Sequence, residues 1–123
     1  MSTSNTDNLV MYIILRKDLI KLPNWNTGAL ITQGAHASTA CIWENKDDPD
    51  VQTYLSPENI NHMHKVTLAA PDDASLQQAI EILKQNNISH RVWREDDMDV
   101  CIAVKPTLRS AIKPILSGFK LYR

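Results

Sequence analysis

Long apolar runs are missing from this sequence. The longest, LVMYIIL at 9–15, falls well short of the roughly 20 residues that a membrane-spanning helix needs, which argues against a membrane partner. Cysteine is nearly missing too: Cys41 and Cys101 are the only two, and both fall within a predicted helix or strand. They read as buried, reduced thiols in preference to a disulfide or a metal pair. Neither sign of charge is in excess, with 13 Lys and Arg against 14 Asp and Glu, so binding of a polyanion through bulk charge is excluded. The first eight residues, MSTSNTDN, lack the charged and apolar regions of a signal peptide, and no lipidation pattern follows Met1. A cytoplasmic location is the expectation.

What is present suits a globular protein. The length of 123 residues matches one domain, and 43% hydrophobic with 22% charged residues supplies enough apolar material for a core. Residues 1–8 are polar and read as a disordered tail, leaving 9–123 as the domain. LVMYIILR has the continuous apolar pattern of a strand buried on both faces. Further strands are expected at 64–70, 89–95 and 99–105, the last two forming an antiparallel hairpin across an acidic turn. Thr27 is the expected cap of a helix that runs to KDDPD, and a short helix with a break at Ser56-Pro57 follows. PDDASLQQAIEILKQNN is the clearest helix: Asp72 or Asp73 caps it, Leu76, Ile80 and Leu83 form its apolar stripe, and Asn86-Asn87 ends it. A last helix is expected over TLRSAIKPILSG, capped by Thr107, shortened by Pro114 and stopped by Gly118. This order predicts an α/β fold with a mixed four-stranded sheet covered by helices on both faces.

The helix TGALITQGAHASTACIW is built almost wholly from small side chains, yet it keeps Gln33 and His36. Leu30, Gly34, Ala37 and Cys41 fall on one stripe, which lets the helix lie close to the sheet. Ala29, Gln33, His36 and Ala40 fall on another, so the two larger polar side chains are neighbours at i, i+3. Such a pair either bonds nearby loop backbone or floors a polar pocket at the end of the first strand, where ligands bind in open α/β sheets. Charge is distributed unevenly as well. After Asp99 every charged residue is basic (Lys105, Arg109, Lys113, Lys120 and Arg123), and Arg16, Lys17 and Lys21 form a second basic group. Acids collect in ENKDDPD and EDDMD. Solvated faces and a phosphate-binding face beside acidic loops both fit this pattern.

LRKDL followed by GALITQGAHA, with SGFKLY near the C-terminus, resembles the peptidyl-tRNA hydrolase type 2 family, over residues 9–123 and in the same element order. The resemblance implies a three-layer α/β/α sandwich with a four-stranded mixed sheet. It also implies hydrolysis of the ester joining a peptide to the terminal ribose of tRNA, with no metal or cofactor. Asp18 matches the family's acid after the first strand, Gly28 the glycine opening the helix, and Gln33 and His36 the helix glutamine and histidine. Gly118 matches the C-terminal glycine. Two positions depart. The lysine that the family places after the helix-opening glycine is Ala29 here. The segment between the last two strands, which supplies an aspartate and a threonine, is replaced by WREDDMDV, where Glu95 or Asp96 could stand in for the aspartate. The resemblance thus implies a catalytic set of His36, Gln33, Asp18 and Glu95 with Gly28 beside it; the basic group Arg16, Lys17 and Lys21, and Trp25, are the expected further contacts with tRNA or peptidyl-tRNA. A homodimer stays open.

Other features carry less. His62 and His64 in HMHK share the spacing of two metal ligands but lack a third nearby, and read as surface histidines. Ser38 and Thr39 have no elbow motif or base partner. Trp25 either folds onto the core or stacks on an unpaired base, whereas Trp43 and Trp93 read as core or edge-of-core residues. A hydrolase with a weakened site and a binding module that keeps the fold without turnover both fit, and fold alone does not choose between them. Ala29 and the short hairpin favour the module; Asp18, Gln33 and His36 favour the enzyme.

Overall fold

The computed structural model describes residues 8–123. The expected N-terminal tail therefore lies outside the described residues, except for Asn8, whose carbonyl accepts the Arg109 N–H at 2.8 Å. The first strand, β1 (Leu9–Arg16), is buried from Val10 to Leu15, as its unbroken apolar run requires. It lies inside a mixed sheet, parallel to β2 (Lys65–Ala70) and antiparallel to β4 (Met98–Val104). β3 (His90–Glu95) pairs with β4 and forms one edge. Their hairpin turns on Asp96 and Asp97, both at positive φ (52° and 62°), the left-handed pair that suits a two-residue connection.

The sheet has six strands, not the expected four. β5 (Thr107–Leu108) pairs antiparallel with the start of β1, and β6 (Lys120–Leu121) pairs antiparallel with Leu68 and Ala69, giving the order β3-β4-β1-β2-β6. Two residues carry no readable alternation; their partners across the sheet define them. The same region overturns the last expected helix. Only α4 (Arg109–Ile112) is helical, Thr107 belongs to β5, and its hydroxyl donates to the Lys105 carbonyl at 2.6 Å instead of capping.

Among the described residues three α-helices precede it: α1 (Thr27–Glu44), α2 (Pro49–Tyr54) and α3 (Asp73–Gln85). Asn26, not Thr27, caps α1. Its backbone is extended and its side-chain oxygen accepts the Ala29 N–H at 2.9 Å, so Thr27 becomes the first helical residue. Asp72 caps α3 through the Ser75 N–H, and Asn86 ends it. Leu76, Ala79, Ile80 and Leu83 of α3 pack with Val10, Tyr12 and Ile14 of β1. Leu30, Ala37 and Cys41 of α1 pack with the alternate set, Met11, Ile13 and Leu15. The period-2 alternation of β1 thus serves two apolar clusters at once. A Cβ built on Gly34 would meet Ile13 at 3.7 Å, ordinary contact, so α1 leaves room there for one more methyl group. Cys41 and Cys101 are free and buried; burial pushes their thiols up to about 11 and about 12, which keeps them protonated and unreactive.

The crossing from α1 to α2 is fastened by Lys105, whose ammonium lies 3.1 Å from Asp48 and 3.5 Å from Asp50. Burial opposes ionisation of Asp48, but the Lys105 hydrogen bond, the Asp50 N–H and the Lys105 charge together outweigh it and hold the carboxyl below its usual value. Lys105→Met is expected to lower stability by about 1–3 kcal/mol at pH 7, because it leaves a partly buried carboxylate unpaired. A carboxyl depressed in the folded state contributes stability above its unfolded pKa and loses it as pH falls through the folded value. Urea titrations should therefore show the gap between variant and wild type closing as pH drops below about 4. A gap that persists at pH 2 would mean that packing of the lysine stem, not its charge, holds α2.

Candidate functional site

The parallel pair sets the location. β1 and β2 both end, in the chain direction, at Arg16 and Ala70. β4 starts and β3 ends at the same end of the sheet, because each runs antiparallel to its neighbour. The β3–β4 turn, the short 3-10 helix Lys17–Lys21 and, through its pairing with Ala69, Lys120 of β6 are therefore gathered along one sheet end. β3 and β6 are opposite edges, so this ridge spans about four strand spacings, roughly 19 Å.

At the β3 edge, α1 supplies Gln33 and His36. Gln33 is buried, with 7% of its surface exposed. Its Nε2 donates to the Ala29 carbonyl at 3.2 Å and its Oε1 has no hydrogen-bond partner. The carbonyl acceptor fixes the amide orientation, so the free atom is an acceptor. That acceptor is buried, and the amide keeps a second N–H besides the one given to Ala29. His36 is exposed, and its ring stacks on Trp93 of β3, with centroids 5.0 Å apart and planes inclined by 28°. The Trp93 Nε1–H donates to Glu95 at 2.9 Å. His36 and Glu95, expected at the site, thus meet through a residue that was expected only to pack. Arg91 lies over the same indole, 5.4 Å from its centroid, and pairs with Glu44 at the end of α1.

Asp18 is placed differently. It pairs with Arg16 through two hydrogen bonds, at 2.8 and 3.1 Å. Arg16 also reaches the Asp99 carbonyl at 3.3 Å and Asp73 at 3.9 Å. The hydrogen bond to Asp18 holds the guanidinium above its ordinary pKa; burial opposes this, and the charges of Asp18, Asp73 and Asp72 add to it. Arg16 was expected to contact substrate, but it is only 11% exposed and engaged with acids of its own chain, so it is unsuited to a phosphate. Trp25 is likewise taken up internally: at 7% exposure it packs with Leu19 and Leu30, leaving little ring face for a base. Trp43, expected in or beside the core, is 69% exposed with Lys46 over its ring. Gly28 is exposed, and a Cβ there would meet only Asn26 Oδ1, at 3.4 Å.

Lys17 and Lys21 are exposed. Lys17 lines a groove of about 880 Å³ between α3 and β6, where Lys120 and Arg123 also lie, over a floor that includes Pro71 and Phe119. The basic C-terminal residues divide accordingly: Lys105 is neutralised by Asp48 and Asp50, while Lys120 and Arg123 join Lys17. His62 and His64 are exposed, and among the described residues no group of three or more His, Cys, Asp or Glu converges as metal ligands. No helix among them is long and apolar enough to cross a membrane.

A mixed sheet flanked by helices, with Lys17, Lys120 and Arg123 gathered around one groove, defines an α/β domain. The chain belongs to the peptidyl-tRNA hydrolase PTH2 family, whose model matches residues 9–122. Among curated proteins it is similar to one from Homo sapiens and one from Mus musculus, each named "Putative peptidyl-tRNA hydrolase PTRHD1". Each is 38% identical over 118 residues, which cover 94% of this chain and 83% of the relative.

Proposed function

We propose that the protein is a cytoplasmic peptidyl-tRNA hydrolase with a weakened site, cleaving the ester between a peptide and the terminal ribose of tRNA. The observation that carries the reading is, within this family, exposed His36 stacked on Trp93 with Glu95 bonded to the same indole. Water attacks the ester carbonyl carbon while His36 takes its proton. The carbonyl–ribose bond then breaks, the proton passes to the ribose oxygen, and a peptide carboxylate leaves. Glu95, bonded to Trp93, is the acid that shares this indole with His36; Asp18 acts at a distance by holding Arg16. α1 and α3 on opposite faces of the sheet support the three-layer α/β/α form of the fold. Turnover of a defined peptidyl-tRNA by the purified protein tests the reading. Tight tRNA binding without turnover would favour the second reading, a binding module, which the methyl group at Ala29 supports.

The tRNA backbone is read here by Lys17, Lys120 and Arg123, which line one groove; exposed Lys21 closes the same short helix as Lys17. Three phosphate contacts release counterions with a log–log salt slope of about −2 to −3. Replacing Lys120 and Arg123 by glutamine should flatten that slope by about 2 and leave the fold intact, since both are exposed. Affinity that ignores salt, or no binding at low salt, would remove the nucleic acid from the proposal.

A further inference from the structure

We infer that Trp93 is the positioning residue of this site, orienting the His36 imidazole by stacking and the Glu95 carboxylate by hydrogen bonding. The inference rests on the hydrolase reading and adds a residue to it. His36 stands on the exposed side of α1, and an exposed helical histidine samples several rotamers. The indole face at 5.0 Å selects one of them. The opposite requirement, a carboxylate held still at the end of an edge strand, is met by the same ring through its Nε1–H, 2.9 Å from Glu95. One side chain therefore fixes two groups that come from different elements.

A tryptophan that merely packed α1 on β3 would need neither contact. Trp93 does contribute to packing: it is half-buried against the cluster under α1. Its outer surroundings are polar, however, and they are tied back to the helix. Arg91 covers the ring at 5.4 Å and pairs with Glu44, so β3 and the last turn of α1 are clamped beside the stack. The tight Asp96-Asp97 turn then sets Glu95 immediately before the reversal. With no long loop between these strands, a rigid aromatic on the strand itself takes over the task of holding the acid.

The test uses Trp93→Leu, which keeps apolar bulk without an aromatic face, and Trp93→Phe, which keeps the face without the N–H. The His36 ring protons, assigned by their disappearance in His36→Ala, are expected upfield in the wild type. They should move to the positions of exposed His62 and His64 in Trp93→Leu and stay displaced in Trp93→Phe. Misplaced catalytic groups lose up to about 10²-fold in rate. Trp93→Leu should therefore lower kcat about 10- to 100-fold with KM within about twofold, and Trp93→Phe, which restores the stack but not the hydrogen bond to Glu95, should recover only part of that activity. Two results would overturn the inference: His36 ring protons identical in wild type and Trp93→Leu, or a Trp93→Leu variant with a lower Tm but unchanged kcat and KM. If wild type has no turnover, the hydrolase reading fails and the effect on rate with it. The ring-proton shifts still decide whether Trp93 orients His36.

Discussion

Replacing His36 by alanine is expected to abolish peptidyl-tRNA turnover while leaving the protein folded. The side chain is exposed, alanine is the best helix former, and exposed substitutions away from caps and cavities usually change stability by less than about 0.5 kcal/mol. The substitution chiefly removes the stack on Trp93, and an aromatic pair of this kind is worth about 0.5–1.5 kcal/mol. Chemistry suffers far more. General-base assistance contributes about 10²–10⁴-fold, and histidine is the one side chain on α1 able to take and return a proton near neutral pH. A site already short of a donor has no reserve against such a loss. Initial rates on a defined peptidyl-tRNA, beside a thermal melt, separate the two effects. Unchanged turnover in His36→Ala would remove the residue from the mechanism.

The sheet and the main helices were legible because burial imposes periods. β1 is apolar at every position from Leu9 to Leu15 since both of its faces are covered, and α3 shows the 3.6-residue stripe of a helix with one covered face. Where structure depends on a distant partner, the sequence was mute. β5 and β6 exist only through Leu9, Val10, Leu68 and Ala69. Thr107 looked like a cap because threonine caps helices often, but pairing with β1 claimed its backbone first. At α1 the cap lies one residue earlier than expected, since Asn26 and Thr27 are both competent and only geometry selects.

The tryptophans show where site prediction lost its hold. Trp25 lies among polar and turn residues, which left both an inward and an available ring open, and the loop folds it inward onto Leu19 and Leu30. Trp93 lies in an alternating strand, which suggested packing, yet its ring meets His36 from a helix far away in the chain. Exposure is a tertiary property, and residue type reports it poorly for a large amphipathic ring. Arg16 failed for a related reason: charge in the sequence shows neither that Asp18 sits two residues on in pairing geometry nor that Asp73 and the Asp99 carbonyl converge on it. That Gln33 and His36 are neighbours on α1 was legible because i, i+3 spacing on a helix fixes adjacency without any partner.

Ala29→Lys is expected to raise turnover by about 10²-fold or more. Ala29 is half-buried in the first turn of α1, on the stripe that continues to Gln33 and His36, and its carbonyl already receives the Gln33 amide. On the proposed mechanism position 29 lacks a donor for the developing oxyanion: the Ala29 methyl cannot supply one, and the two-residue hairpin turn leaves no longer segment to bring one. One such donor is worth about 10²–10³-fold, or roughly 3–4 kcal/mol of transition-state stabilisation. Against this, a cation in the first helical turn opposes the macrodipole by about 0.3–1 kcal/mol, a stability loss that a domain of this size can absorb. The catalytic term exceeds the structural one several-fold, so activity should rise although the melt falls slightly. The gain should appear in kcat more than in KM, because the oxyanion exists only on the way through the reaction. Turnover unchanged in a folded Ala29→Lys protein would mean that Lys17 or Lys21 already supplies the donor. No turnover in either form, with tRNA still bound, would leave binding as the role of the fold.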